Sequence, residues 1–270
     1  DGLFTPAKPE CYAEDILAMK RLGFNTLRKH IKVEPEEFYY QCDKLGMVVF
    51  QDMVNNGDYS YIRDTVLPTV GLQKLPDKHM HQDPSVRKHF LEGMKATVKQ
   101  LKNHPCILYW TIFNEGWGQF DADKMFDKAK AYDPTRIFDA TSGWFYRKRS
   151  DVDSRHVYFK PVKLGKLSER PIVISEFGGY SHRVEGHIYG IDEYGYSSFA
   201  TREEFEEAFT RLYREELKPL IKGGICGLVY TQISDVEDET NGLLTYDRAI
   251  CKLDSEKCFK LMEELYNEIK

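Results

Sequence analysis

A chain of 270 residues is long enough for one large α/β domain, and barrels of that class take about 250. Hydrophobic residues make up 41% and charged residues 30%, so a proper core is available in a chain that stays soluble. The net charge is only −5, with no basic cluster interleaved with aromatics, which removes the case for nucleic acid, and the longest apolar stretches, such as 106–113, are too short to cross a bilayer.

Helical periodicity runs from Glu10 to Leu22 through Ile16, Leu17 and Met19, and Gly23 is its stop signal. A strand-like run follows at 24–31. Pro35 opens a helix over 36–44, Gly46 closes it, and 47–50 is a second short apolar run. A long helix is expected over 84–103, just after Asp83. Residues 106–113 form an unbroken apolar strand and 121–132 a helix. Further strands are expected at 137–141, 156–159, 171–175 and 225–231, with amphipathic helices at 203–221 and 255–269.

Alternating strands and helices, with strands that are apolar throughout, predict a parallel sheet covered on both faces. The strands start at 24, 47, 106, 137, 156, 171 and 225, which is seven, and a closed barrel takes about eight. The eighth belongs before the first helix, where residues 1–9 include Pro6 and Pro9, poor members of a central strand. The expectation is a (β/α)8 TIM barrel without its first strand, a single domain (1–270) of a longer parent protein. Its open edges, on the strands starting at 24 and 225, should be bridged by another chain or left partly exposed. The chain starts at Asp1 without an initiator Met, as a fragment or processed form would.

None of Cys11, Cys42, Cys106, Cys226, Cys251 and Cys258 forms a C-x-x-C or zinc spacing. Cys106 and Cys226 open apolar runs, where cysteine acts as a small buried hydrophobe. Free thiols lean toward a reducing, cytoplasmic compartment. His79 and His81 make an H-x-H that lies in a polar stretch, Leu75 to Ser85, and reads as solvated loop; no metal or other cofactor is expected.

Two apolar runs end in the same way. Residues 106–113 lead into Asn114-Glu115-Gly116, and 171–175 into Glu176-Phe177-Gly178-Gly179. Each places an acid at the C-terminal end of a buried strand, followed by glycine; in barrel enzymes that end carries the chemistry. Retaining glycoside hydrolysis needs two carboxyl groups about 5–5.5 Å apart, a nucleophile and a proton donor, and two glutamates over a barrel mouth can meet that distance.

The run Thr111-Ile-Phe-Asn114-Glu115-Gly116-Trp117-Gly118 resembles the acid/base motif of glycoside hydrolase family 2, and Ile174-Ser175-Glu176-Phe177-Gly178 its nucleophile motif. Gly23 to His30, with Phe38 to Gly46, resembles the family's second-strand region and following helix, so the resemblance spans nearly the whole chain. It implies a retaining, exo-acting β-glycosidase acting on a carbohydrate, with Glu115 as acid/base on strand four and Glu176 as nucleophile on strand seven. It also implies β-sandwich domains in the parent protein. If the first strand is absent, the runs at 106 and 171 count as fourth and seventh.

By the same resemblance Asn114 should bond the sugar 2-hydroxyl. Arg28, late in an apolar strand, should pair with Glu176 or else with Asp52. His30 and His156 follow apparent strand starts, and His156-Val-Tyr158 resembles the family's His-x-Tyr element that lines the pocket. Trp117, Trp144 and Tyr180 are candidates for a sugar platform, while Trp110 reads as core. A metal-dependent hydrolase would need His and Asp at strand ends where Glu, Asn and Arg stand. An inactive carbohydrate-binding barrel would be expected to have lost one of its acids. The family includes β-galactosidases, β-glucuronidases and β-mannosidases; its glucuronidases use an Asn-x-Lys element, and Asn241-Gly242-Leu243 has no Lys, which counts against a glucuronide, and β-galactosidase is the preferred expectation.

Overall fold

All seven expected strands are present, with their ends moved by a few residues. The computed structural model describes residues 5–55, 57, 60–70, 72, 76–163, 168–190 and 194–269. Helix α1 (Glu10–Arg21) precedes β1 (Thr26–Lys29), then α2 (Glu36–Leu45) precedes β2 (Val48–Asp52). Helix α3 (Pro84–Leu101) leads into β3 (Ile107–Asn114), and α4 (Ala122–Tyr132) into β4 (Ile137–Ser142). Strands β5 (Asp153–Val157) and β6 (Ile172–Gly178) follow, then the short pair β7 (Tyr180–Ser181) and β8 (Ser197–Ser198). Helix α5 (Arg202–Arg211) continues through a π-helical turn, Leu212–Leu217, into Lys218–Ile221; β9 (Ile225–Thr231) and α6 (Ser255–Asn267) complete the chain. The helical turns at Tyr61–Val66 and Asp77–His79 had no signal in the sequence pattern.

Contacts divide the chain into two units, one of residues 26–156 and 168–175, the other of 1–25, 157–167 and 176–270. In the first, strand order is β1-β2-β3-β4, and each neighbouring pair is parallel. Strand β3 is therefore internal, and Val49, Ile107, Trp110, Ile112, Phe113, Phe138 and Ala140 are all fully buried. Trp110 is core, as expected, and its indole N–H donates to Asp133 at 3.1 Å. Helix α3 is capped by Asp83, whose side chain accepts from the Ser85 amide, and it buries Phe90, Met94, Val98 and Leu101. Phe90 stacks on Phe113 at 4.8 Å, which ties α3 to β3.

The other unit packs aromatics around the chain after Glu176. Phe177 meets Tyr213 and Tyr230 edge-on at 5.6 Å, and Phe205 and Phe209 of α5 are buried. Thr201 and Glu204 form a capping box at the start of α5. Gly23 lies against Met262 of α6, so close that a Cβ there would sit 2.8 Å from the Met262 Cβ.

Four expectations change. Strand β5 starts three residues before the expected position, because Asp153-Ser154-Arg155 hides it from hydropathy; His156 therefore closes the strand. His30 likewise lies just past the end of β1. Cys226 is exposed on β9, although Cys42, Cys106 and Cys258 are buried. His81 is buried where a solvated loop was expected, while His79 is exposed; Leu75, which opens that stretch, is outside the described residues. Strand β6 is internal in the order β5-β6-β9. Thr5 to Lys8 belong to no strand, and residues 1–4 lie outside the described residues. No helix among the described residues is long and apolar enough to cross a membrane.

Candidate active site

Parallel register brings the polar ends of the first four strands together. Asp52 is opposite Thr111, and Asn114 is opposite Ser142. Arg28, on β1, is the hub. Its Nε and Nη2 donate to the two Asp52 carboxylate oxygens at 3.0 and 2.8 Å, Nη2 also donates to Asn114 Oδ1 at 2.8 Å, and Nη1 to the Ser175 carbonyl at 3.1 Å. The Arg28 and Asp52 side chains are 3% and 1% exposed, so this bidentate pair replaces lost hydration with several charged hydrogen bonds. Asn114 is thereby oriented: its Oδ1 faces Arg28, its Nδ2 is 3.2 Å from His30 Nε2, and its amide donates to Asn55 Oδ1 at 2.7 Å.

Glu115 follows β3 with φ of 51°, in the left-handed region, and its amide donates to the Ser142 carbonyl at 2.8 Å. A non-glycine residue there costs of order 1–3 kcal/mol and is held by its surroundings. Its Oε1 is 2.7 Å from His156 Nδ1, and the His156 ring is fully enclosed while Glu115 keeps 19% exposure. His156 Nε2 in turn lies 2.9 Å from Ser142 Oγ. The ring needs Gly143, since a Cβ at that position (φ 90°) would stand 2.6 Å from Nδ1. Trp144 packs edge-on against His156 at 5.7 Å, and its indole N–H has no partner among the described residues. Trp117 is exposed and edge-on to His30 at 6.2 Å.

In the other unit, Glu176 lies inside β6, which runs three residues past its expected end at Ser175. The Tyr158 hydroxyl donates to Glu176 Oε2 at 2.8 Å and lies 2.7 Å from Thr231 Oγ1. Burial first, and then the Glu176 charge, push the Tyr158 phenol well above its ordinary range, so it stays a proton donor. Its ring stacks on Tyr196 at 3.9 Å, a partner with no motif to announce it. Tyr180 is half-buried against Phe199, and its backbone amide donates to the Tyr230 hydroxyl at 3.2 Å.

Sequence patterns had also missed a buried lysine. Lys252 Nζ, fully enclosed, donates to Asp235 Oδ1 at 2.7 Å and to the Thr240 carbonyl at 2.8 Å, next to Asn241. Burial raises the Asp235 carboxyl, and the Lys252 charge draws it back.

Comparison with known proteins follows the same lines. Residues 8–225 match the model of glycosyl hydrolases family 2, TIM barrel domain. A β-galactosidase of Yersinia pestis bv. Antiqua (strain Angola) is 31% identical over 128 residues, which are 47% of this chain and 11% of that protein. A β-galactosidase of Yersinia pseudotuberculosis serotype O:3 (strain YPIII) matches equally, at 31% over 128 residues and with the same 11% of its length covered. Among solved structures, a β-D-glucuronidase of Dictyoglomus thermophilum superimposes with a TM-score of 0.67 at 17% identity, covering 96% of this chain and 47% of that one. A β-galacturonidase of Eisenbergiella tayi gives 0.63 at 18%, covering 94% and 48%. The fold is a TIM barrel.

Proposed function

The chain belongs to glycosyl hydrolases family 2, and from that premise we propose that it carries the catalytic site of a retaining, exo-acting β-glycosidase with Glu176 as nucleophile and Glu115 as acid/base. The observation that carries this reading is the pair of partners: an imidazole on Glu115 and a protonated phenol on Glu176. In the first step Glu176 attacks the anomeric carbon through one oxygen, while Tyr158 donates to the other and favours the ionised carboxylate. Glu115 gives its proton to the departing glycosidic oxygen. In the second step Glu115 takes a proton from water, whose oxygen attacks the same carbon and releases Glu176. Two displacements leave the anomeric configuration unchanged.

Arg28 and Asp52 set the Asn114 amide for the sugar 2-hydroxyl, with His30 beside it. The Trp144 N–H, without a partner among the described residues, supports a substrate contact, and Trp117, His156, Tyr158 and Tyr180 complete the proposed lining. A terminal β-galactoside is the preferred substrate. The lysine beside Asn241 is buried against Asp235, which disfavours a role in holding a sugar carboxylate, and β-glucuronidase or β-mannosidase activity is the alternative. Accessory β-sandwich domains, and one catalytic domain over the whole chain, belong to the same proposal.

The test is chemical rescue in the full-length protein, after a panel of nitrophenyl β-glycosides has identified the sugar. Glu176→Ala should abolish turnover, and azide should restore it with inverted anomeric configuration. Glu115→Ala should spare activated aryl substrates and give a retained azide product. A retained product from the Glu176 variant would exchange the two roles. Absence of turnover across the panel would favour an inactive carbohydrate-binding barrel.

A further inference from the structure

Behind the His156 ring lie three serine side chains, one from each of β4, β5 and β6, and all are buried: Ser142, Ser154 and Ser175. Ser142 Oγ is 2.9 Å from His156 Nε2 and 2.9 Å from Ser175 Oγ, which is 2.6 Å from Ser154 Oγ. Ser142 and Ser154 are themselves 3.2 Å apart. Packing alone gives no reason for three buried hydroxyls side by side, since a buried hydroxyl needs a partner that an alanine would not.

The protons set a direction. The carboxyl Oε1 can accept whether or not Oε2 carries a proton, so His156 Nδ1 is placed to carry the hydrogen toward Glu115. In the neutral ring Nε2 is then an acceptor, and the Ser142 hydroxyl is in place to fill it. Ser175 can donate to Ser142, and Ser154 to Ser175, so that each hydroxyl uses its one proton once. Beside Ser154 lies Asp139, 1% exposed; burial pushes its carboxyl above the ordinary range, against the pull of the Arg28 charge. Ser142 also holds Glu115 directly, through its backbone carbonyl.

We propose that Ser142, Ser154 and Ser175 form a positioning relay that fixes His156 in the Nδ1–H tautomer and so aims the Glu115 carboxyl, with Oε1 accepting from the ring and Oε2 turned to the glycosidic oxygen. The proposal rests on the reading of Glu115 as acid/base. The serines touch no substrate; they act through His156.

Ser142→Ala and Ser175→Ala, made in the full-length protein, test it with two readouts. The first is the imidazole 15N signature of His156, which should show a protonated Nδ1 and a bare Nε2 in the native protein and a mixture of tautomers in Ser142→Ala. The second is leaving-group dependence. For a methyl glycoside of the preferred sugar, kcat should fall about tenfold with KM nearly unchanged, and for an activated aryl glycoside by less than about threefold, since the loss is confined to proton donation. Ser175→Ala should move both readouts the same way by less, and it decides the matter if Ser142→Ala fails to fold. An unchanged His156 signature, or equal losses for the two leaving groups, would overturn the relay. Glu115→Ala, measured alongside, separates the two levels: if it too shows no leaving-group dependence, the acid/base reading has failed. If it shows that dependence and the serine variants do not, only the relay has.

Discussion

Strands β3 and β6 each present a glutamate, yet they turn the chain differently. After β3 the glutamate itself takes the left-handed backbone, φ 51°, and Gly116 follows at 77°. In β6 Glu176 keeps strand geometry, and Gly178 and Gly179 take the positive φ values, 82° and 64°. A glycine adopts such angles without the strain that a side chain brings. The surroundings differ to match. Glu115 donates its amide to the Ser142 carbonyl and faces His156, whereas Glu176 sits in a regular strand and accepts from the Tyr158 phenol on Oε2. On the proposed roles, a group that moves a proton twice is fastened through a partner able both to donate and to accept, and a nucleophile is given a donor that keeps its own proton.

The largest effect should separate the glutamates by rate. Glu176→Gln is expected to lower kcat by more than about 10⁴-fold for every leaving group, as removing a nucleophile does. Glu115→Gln should cost roughly 10²–10⁴-fold for alkyl glycosides and far less for activated aryl ones. Equal dependence on leaving group in both variants would erase the distinction drawn above.

Stability should separate the two regions next. Asp52→Ala strands the Arg28 guanidinium in a buried site, and breaking such a pair costs about 3–5 kcal/mol, read from the denaturation midpoint. Tyr158→Phe removes one hydrogen bond to a charged group, worth about 1.5–3 kcal/mol at most, and should act mainly on rate. Its acid limb of kcat/KM should move to higher pH, because the lost donor had favoured the ionised carboxylate that attacks. A limb that stays in place would deny Tyr158 that role.

How much of this was legible before the structure follows from what hydropathy can see. The unbroken apolar runs of β3 and β6 announced internal strands, and the acid after each run announced the two glutamates. Strand β5 was misplaced because its buried positions are Ser154 and His156, polar residues that hydropathy does not read as strand. Asp52 extends β2 past the apolar residues for the same reason. The Arg28–Asp52 pair was one of two options in the sequence, and nothing local chose between them; 24 residues separate the partners, and only parallel register joins β1 to β2. The Lys252–Asp235 pair and the Tyr196 stack arise from loops that carry no period at all.

The smallest expected effect concerns the two tryptophans on the Glu115 side. Trp117 is 40% exposed and meets the His30 ring by its edge. Replacing it with alanine should leave stability within about 0.5 kcal/mol, as for other surface positions. If it is a sugar platform, the stacking it provides is felt equally by bound substrate and transition state, so KM should rise by roughly two- to tenfold at constant kcat. Trp144 is different, because its ring lies against His156 and its N–H points to no described partner. Loosening His156 would weaken proton donation, so Trp144→Ala should lower kcat as well as raise KM, and more for alkyl than for aryl leaving groups. Steady-state constants for both variants on both substrates decide the point: if Trp117→Ala lowers kcat in the same leaving-group-dependent way, the hold on Glu115 extends beyond the His156 side, and the contrast between fastened acid and strand-borne nucleophile must be redrawn around His30.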